Sequence, residues 1–197
     1  MPVRNLFVTP LYEAMIADRE LVERLAYSIR TLARDDTAGR RWSRDKGYRG
    51  YTSYASLNDL TRRDPAFADL ARRLSRHAAT FARELAFDRT PKLNSLWVNL
   101  LKAGGHHSAH LHPHSVLSGT FYVEAPPGSG AIRFEDPRLP MMMAAPPRAD
   151  GVAEELRTFV EVEPRPGLLL LWESWLRHEV LAGPAKDDRL SISFNFA

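Results

Sequence analysis

A chain without cysteine that holds a transition metal must do so through imidazoles and carboxylates, and here five of the seven histidines crowd into one short stretch: His106, His107, His110, His112 and His114. Such density points to a shared task, and imidazole nitrogen suits iron, zinc and copper. In an extended strand, residues two apart point the same way. His110 and His112 would therefore present two imidazoles on one face, with Leu111 turned to the other. His114 shares that parity, but Pro113 breaks the ladder before it, so His114 stands as the alternative to His112 or as a pocket neighbour. His106 and His107 read as loop residues.

Two imidazoles leave an iron site one protein ligand short. Outside the cluster stand only His77, among arginines in a helical stretch, and His178. His178 follows the apolar run Gly167–Trp172 and the turn-like Glu173-Ser174-Trp175-Leu176-Arg177, which could return a side chain to the end of a barrel, and it is the expected third ligand. Further on, Arg189-Leu190-Ser191-Ile192-Ser193-Phe194-Asn195-Phe196 alternates as a final strand with Arg189 and Ser191 on one face. A guanidinium and a hydroxyl on a common face form a fork for a carboxylate. The competing reading of Arg189 is a surface residue beside Asp187 and Asp188.

These residues need elements to hold them. Leu6-Phe7-Val8 reads as a short strand stopped by Pro10. From Glu13 to about Arg34 apolar residues recur at helical spacing, acids early and arginines late. Thr37 to Ser56, rich in Gly, Ser, Arg and Tyr, reads as a loop. A second helix is expected from about Asp64 to Ala86, with Pro65 in its first turn and Phe67, Leu70, Leu74 and Phe81 as its buried stripe. After Pro91 short strand-like segments follow one another: Leu93–Leu101, His107–His112, Val116–Glu124, Ala131–Phe134, Thr158–Val162, Leu168–Trp172 and Leu190–Phe196. Strands in series without intervening helices imply an antiparallel sandwich or barrel. The expected fold is thus mainly β (α+β), with the two N-terminal helices packed on the outside of one sheet. Leu139 to Gly151, with three consecutive methionines, reads as a lid or a surface insertion.

With 197 residues, 44% hydrophobic and 26% charged, the chain suits one domain, a helical part over 1–90 and a β core over 91–197. No apolar run is long enough for a bilayer span, and Met1–Phe7 lacks the pattern of a secretory leader, so a cytoplasmic protein is expected. The net charge of +3 is mild. Arg40, Arg41, Arg44, Lys46 and Arg49 gather around Trp42 and Tyr48, and a solvated arginine-rich loop is preferred to a nucleic-acid surface. A homodimer is compatible with the sequence.

Several stretches taken jointly resemble the 2-oxoglutarate/Fe(II) oxygenase superfamily, in particular a bacterial and phage branch of it. They are His110-x-His112-Pro113-x-Ser115-x-x-Ser118-Gly119-x-x-Tyr122-Val123, Asp136-Pro137-Arg138, Ser174-Trp175-Leu176-x-His178 and Arg189-x-Ser191-x-Ser193-Phe194-Asn195, with the opening Leu6-Phe7-x-Thr9-Pro10-Leu11. The resemblance implies a double-stranded β-helix (jelly roll, cupin-like) and the cofactors Fe(II) and 2-oxoglutarate. It implies that His110 and His178 are iron ligands and that Arg189 with Ser191 holds the distal carboxylate of 2-oxoglutarate. The chain departs from the superfamily at His112, where Asp or Glu is usual. A third neutral imidazole leaves the site one charge more positive. Trp97, Asn99 and Tyr122, on strands beside the ligands, are candidate pocket residues for a small-molecule or other substrate. The alternatives are a cupin-type metalloprotein binding iron or another divalent metal through three histidines without 2-oxoglutarate, and a non-catalytic binding module.

Overall fold

The computed structural model describes residues 3–197, so the first two residues of the Met1–Phe7 stretch lie outside it. In chain order the elements are β1 (Leu11–Met15), α1 (Arg19–Asp35), α2 (Thr37–Asp45), β2 (Gly50–Thr52), α3 (Leu60–Arg63), α4 (Pro65–Glu84), β3 (Leu93–Leu101), β4 (His107–His110), β5 (Leu117–Glu124), β6 (Ile132–Glu135), β7 (Phe159–Val162), β8 (Leu168–Glu173), β9 (His178–Val180) and β10 (Arg189–Phe196). Among the described residues, ten strands form two antiparallel sheets. One has the order β1-β8-β5-β10-β3-β2 and the other β4-β9-β6-β7. These are the two layers of a double-stranded β-helix, and neither closes into a barrel.

Period-two alternation divides the larger sheet into two faces. Leu96, Val98, Phe121, Val123, Leu169, Leu171, Leu190, Ile192, Phe194 and Phe196 join the apolar stripes of α1 (Leu21, Leu25, Ile29) and α4 (Phe67, Leu70, Leu74, Phe81) in one continuous core. The intervening residues face the smaller sheet. There Tyr122, Leu168, Leu170 and Trp172 form a second apolar cluster with Ile132 and Phe134 of β6 and with Leu176 of the turn before β9. Among the described residues, no helix is long and apolar enough to cross a membrane.

The N-terminal half departs from expectation in three places. Leu6, Phe7 and Val8 are exposed and form no strand. The strand comes after Pro10, at β1, which pairs with β8 from Leu11↔Trp172 to Met15↔Leu168. Glu13 therefore lies in a strand, and α1 starts only where the Asp18 carboxylate accepts the Leu21 amide. Thr37–Ser56 is not a loop: it contains α2 and β2, and with the short α3 beyond it four helices precede the β core among the described residues instead of two. Asp36 organises this segment, its carboxylate accepting from the Gly39 amide (3.0 Å), the Tyr51 hydroxyl (2.9 Å) and the Ser56 hydroxyl. Gly50, at φ +145°, allows β2 to approach β3 so closely that a side chain there would strike the Leu100 carbonyl. A further short strand, β9, begins at His178, where only a returning turn was expected. The 139–151 excursion contains a single 3-10 turn, Leu139–Met141, and is otherwise irregular.

Candidate functional site

Between the two sheets, at one end, lies a cavity of about 530 Å³. Its floor is the polar parity of the larger sheet: Asn99 from β3, Thr120 and Tyr122 from β5, Trp172 from β8, and Arg189, Ser191, Ser193 and Asn195 from β10 all line it. Side-chain hydrogen bonds lock this floor. The Asn99 amide donates to Ser193 (3.0 Å), and Ser118 donates to Asn195, whose amide donates in turn to Ser95. Trp97 stands at the side of the cavity, 8% exposed.

Three imidazoles converge at its rim. His110 ends β4 and sits directly opposite His178, the first residue of β9, with ring centroids 4.4 Å apart. His112 lies two residues past His110, beyond the end of β4, with its backbone amide bonded to the Ser174 carbonyl. Its ring is parallel to that of His178, and the two Nε2 atoms are 3.3 Å apart. One ligating nitrogen from each of the three lies within 4.8 Å of the others. The Nδ1–H of His178 donates to the Leu176 carbonyl (2.9 Å) and that of His110 to the Ser108 carbonyl (2.7 Å). A carbonyl can only accept, so in both rings Nδ1 carries the proton and Nε2 is the nitrogen left for a metal. This backbone anchoring is the arrangement that orients metal-binding imidazoles. Two nitrogens bound at right angles to one ion would stand about 3 Å apart, close to the His112–His178 separation.

The electrostatics favour neutral rings and bound anions. Burial pushes His178 down to about 3 and His112 to about 4, with the neighbouring imidazoles adding to it. Burial does the same to His107, to about 3, helped by Arg189. Among the described residues, no aspartate or glutamate lines the cavity. Arg189 is buried there at 4% exposure. One of its amino groups donates to the Gly130 carbonyl (3.1 Å), its Nε has no partner, and its guanidinium lies 5.8 Å from the Tyr122 ring centre. It pairs with neither Asp187 nor Asp188. A permanent cation in such a setting lacks a counter-charge.

His114 stays outside the group, exposed in a turn at φ +67°. His77 is remote, bonded to the Tyr12 hydroxyl. His107 is not a loop residue: it opens β4, lines the cavity and bonds the Tyr48 hydroxyl at 2.9 Å. The pairing register shifts between His107 and His110, so simple parity from His110 misplaces it. Tyr48, Trp42, Tyr54 and Trp172 are further lining residues; of these the sequence had marked Trp42 and Tyr48, and only as part of an arginine-rich loop. For Trp172 the signal existed, since it shares parity with Leu168 and Leu170, but an unbroken apolar run conceals which residues face which way.

A family described as "Putative 2OG-Fe(II) oxygenase" matches residues 95–195, just over half of the chain. No curated protein matches in sequence. Among solved structures, a Pseudomonas putida prolyl-4-hydroxylase is similar with a TM-score of 0.63 at 20% identity, over 95% of this chain and 92% of that one. The non-heme alpha ketoglutarate dependent epimerase SnoN from nogalamycin biosynthesis gives 0.66 at 16%, over 96% and 78%. HygX from Streptomyces hygroscopicus, solved with nickel and 2-oxoglutarate bound, gives 0.61 at 15%, over 96% and 82%. At such identities the likeness establishes the common fold.

Proposed function

Since the chain belongs to the family of 2-oxoglutarate- and Fe(II)-dependent oxygenases, we propose that it is a dioxygenase of hydroxylase type in which His110, His112 and His178 hold the iron and Arg189 with Ser191 receives the distal carboxylate of 2-oxoglutarate. The observation that carries the reading is the buried, acid-free Arg189 in the same cavity as three converging imidazoles. When bound, iron and 2-oxoglutarate supply the activation of dioxygen by which a C–H bond of a second substrate is oxidised.

The side chains divide the remaining work. The backbone carbonyls of Ser108 and Leu176 keep two imidazoles in the tautomer that binds metal. Trp172, edge-on to His178 at 4.6 Å, and Phe134 pack around that ring and limit its movement. Arg189 offers a bidentate donor set from the cavity floor, and Ser191, on the same face of β10, adds a hydroxyl. His112 contributes no charge where a carboxylate is usual. The centre therefore depends more on the anionic co-substrate to offset the ion, and 2-oxoglutarate should tighten iron binding strongly. A cupin-type centre without 2-oxoglutarate would have no use for a buried guanidinium beside its metal.

Anaerobic reconstitution with Fe(II) followed by 2-oxoglutarate tests the proposal through the visible charge-transfer band of the chelate. The band is expected in the native chain and in His77→Ala, and is lost in Arg189→Ala. If iron binds but the native chain gives no band, the cupin-type reading replaces this one.

A further inference from the structure

The outer wall of the cavity is built from α2, β2 and the segment after it, and its composition differs from that of the floor. Trp42, Tyr54 and Trp97 form a continuous row of rings, with centroids 6.0 Å apart between the first two and 5.3 Å, edge to face, between the second two. The row ends against His112, 6.0 Å from Trp97. Tyr54 is 60% exposed, although aromatic surface of this size is ordinarily covered. Lys46 and Arg49 stand at the same mouth, both exposed and both lining the cavity. About half of the arginines of the chain have a carboxylate nearby, among them Arg44 with Asp45 at 3.7 Å and Arg30, which grips Glu124 with both amino groups. Among the described residues, Lys46 and Arg49 have none within ion-pair distance.

The wall is held in shape before any ligand arrives. Asp36 ties the start of α2 to Tyr51 and Ser56, the Ser43 hydroxyl accepts the Thr52 amide (3.1 Å), and that of Ser53 accepts the Val98 amide (3.1 Å). An ordered aromatic surface flanked by two uncompensated cations, in a cavity free of acids, selects for a flat ring and a negative charge at once. A volume of about 530 Å³ falls within the roughly 300–1,000 Å³ range of pockets that enclose small molecules.

We propose that this wall is the subsite of the molecule to be oxidised, and that this molecule is a small, planar-ring compound bearing an anionic group. The ring lies along Tyr54 and Trp97, which directs its edge toward His112, while Lys46 and Arg49 hold the carboxylate, sulfonate or phosphate at the mouth. This assignment rests on the oxygenase reading above, in which Arg189 is already engaged by 2-oxoglutarate.

The test is calorimetric titration, without oxygen, of the chain loaded with Fe(II) and excess 2-oxoglutarate, using 1-naphthoate, neutral 1-naphthamide and a short single-stranded oligothymidylate as probes. Naphthoate is expected to bind at least about tenfold more tightly than the amide. The doubly substituted Lys46→Ala/Arg49→Ala chain should lose that preference, Tyr54→Ala should weaken both ring compounds, and Arg83→Ala, on the far end of α4, should change neither. Equal affinity for naphthoate and naphthamide overturns the proposal, as does a preference that survives the double substitution. Tighter binding of the oligonucleotide, lost in the double variant, replaces the small molecule with nucleic acid. The charge-transfer band is recorded on the same samples. A band without naphthoate selectivity sinks only the substrate assignment, whereas a missing band sinks the oxygenase reading beneath it.

Discussion

On β10, Leu190, Ile192, Phe194 and Phe196 face α1 and α4 in the apolar core, while Arg189, Ser191, Ser193 and Asn195 face the cavity. On β5, Phe121 and Val123 face the helices, and Thr120 and Tyr122 the cavity. One sheet thus carries two regions made from alternate residues of the same strands. The helix-covered face gathers the apolar contacts that sustain the fold. The other face tolerates polar groups and a buried cation, which do not stabilise a core and are retained at a cost offset elsewhere, and it looks across the cavity at the imidazoles of β4 and β9. Because the backbone is shared, adjacent residues can separate stability from function. A substitution at one position should damage the fold and spare the site, and one at its neighbour should do the reverse.

The largest effect is expected on the helix-covered face. Phe121→Ala removes a fully buried ring and should lower unfolding stability by about 3–5 kcal/mol, measured by denaturant titration. Affinity of the folded fraction for 2-oxoglutarate should stay within about twofold, since coupling between non-contacting groups is small. Arg189→Met is the mirror experiment. Loss of the guanidinium should cost about 2–5 kcal/mol of 2-oxoglutarate binding. In the unliganded chain an unpaired buried cation gives way to an apolar side chain, so stability should hold or rise. A drop in stability as large as that of Phe121→Ala would erase the distinction between the faces.

A smaller effect should appear as pH falls. His178, His112 and His107 are all held far below the ordinary imidazole value of 6.5 by burial, so the unfolded chain binds protons first. Stability of the metal-free protein should be flat above the unfolded value and decline as pH drops through about 6.5 toward about 4, since the unfolded state gains protons in that window. For three imidazoles the decline from pH 7 to pH 6 is on the order of 2 kcal/mol, followed by chemical denaturation with a chelator present. Added divalent metal should raise the profile as a whole, since the His178 and His112 nitrogens that it binds are already unprotonated in the folded chain. A flat profile would mean that water already reaches these rings.

How far this division could be read from the sequence depended on local pattern. The alternation of β10 and the pairing of Arg189 with Ser191 on one face were legible, as were β3, β5 and the stripe and proline start of α4. What was not legible arises from tertiary contact. The Leu11–Met15 segment has no strand signature of its own and is a strand because β8 offers it a free edge. Thr37–Asp45, short and interrupted by Gly39, is helical because Asp36 caps it and ties it to Tyr51 and Ser56. Among the candidate site residues, convergence of His110 with His178 is a cross-strand register, and β9, only three residues long, is below what composition can signal. His107, read as a loop residue, opens β4 beside a register irregularity that leaves no regular pattern in the sequence.

The smallest effect concerns the helical layer alone and asks how far the cavity is insulated from it. The Asp64 carboxylate accepts the Ala66 amide (2.8 Å) at the start of α4 and also the Ser28 hydroxyl of α1, so it caps one helix and fastens it to another. Asp64→Ala removes both bonds but leaves the apolar stripes in place, and should cost about 1 kcal/mol, the usual scale of a lost N-cap. Asp36→Ala removes the same kind of cap, yet it also frees Tyr51 and Ser56 in the wall that carries Trp42 and Tyr54. The two variants should therefore lose similar stability, while only Asp36→Ala weakens naphthoate binding. If Asp64→Ala weakened it equally, the helical layer would be transmitting strain through the sheet, and the two faces would not be independent.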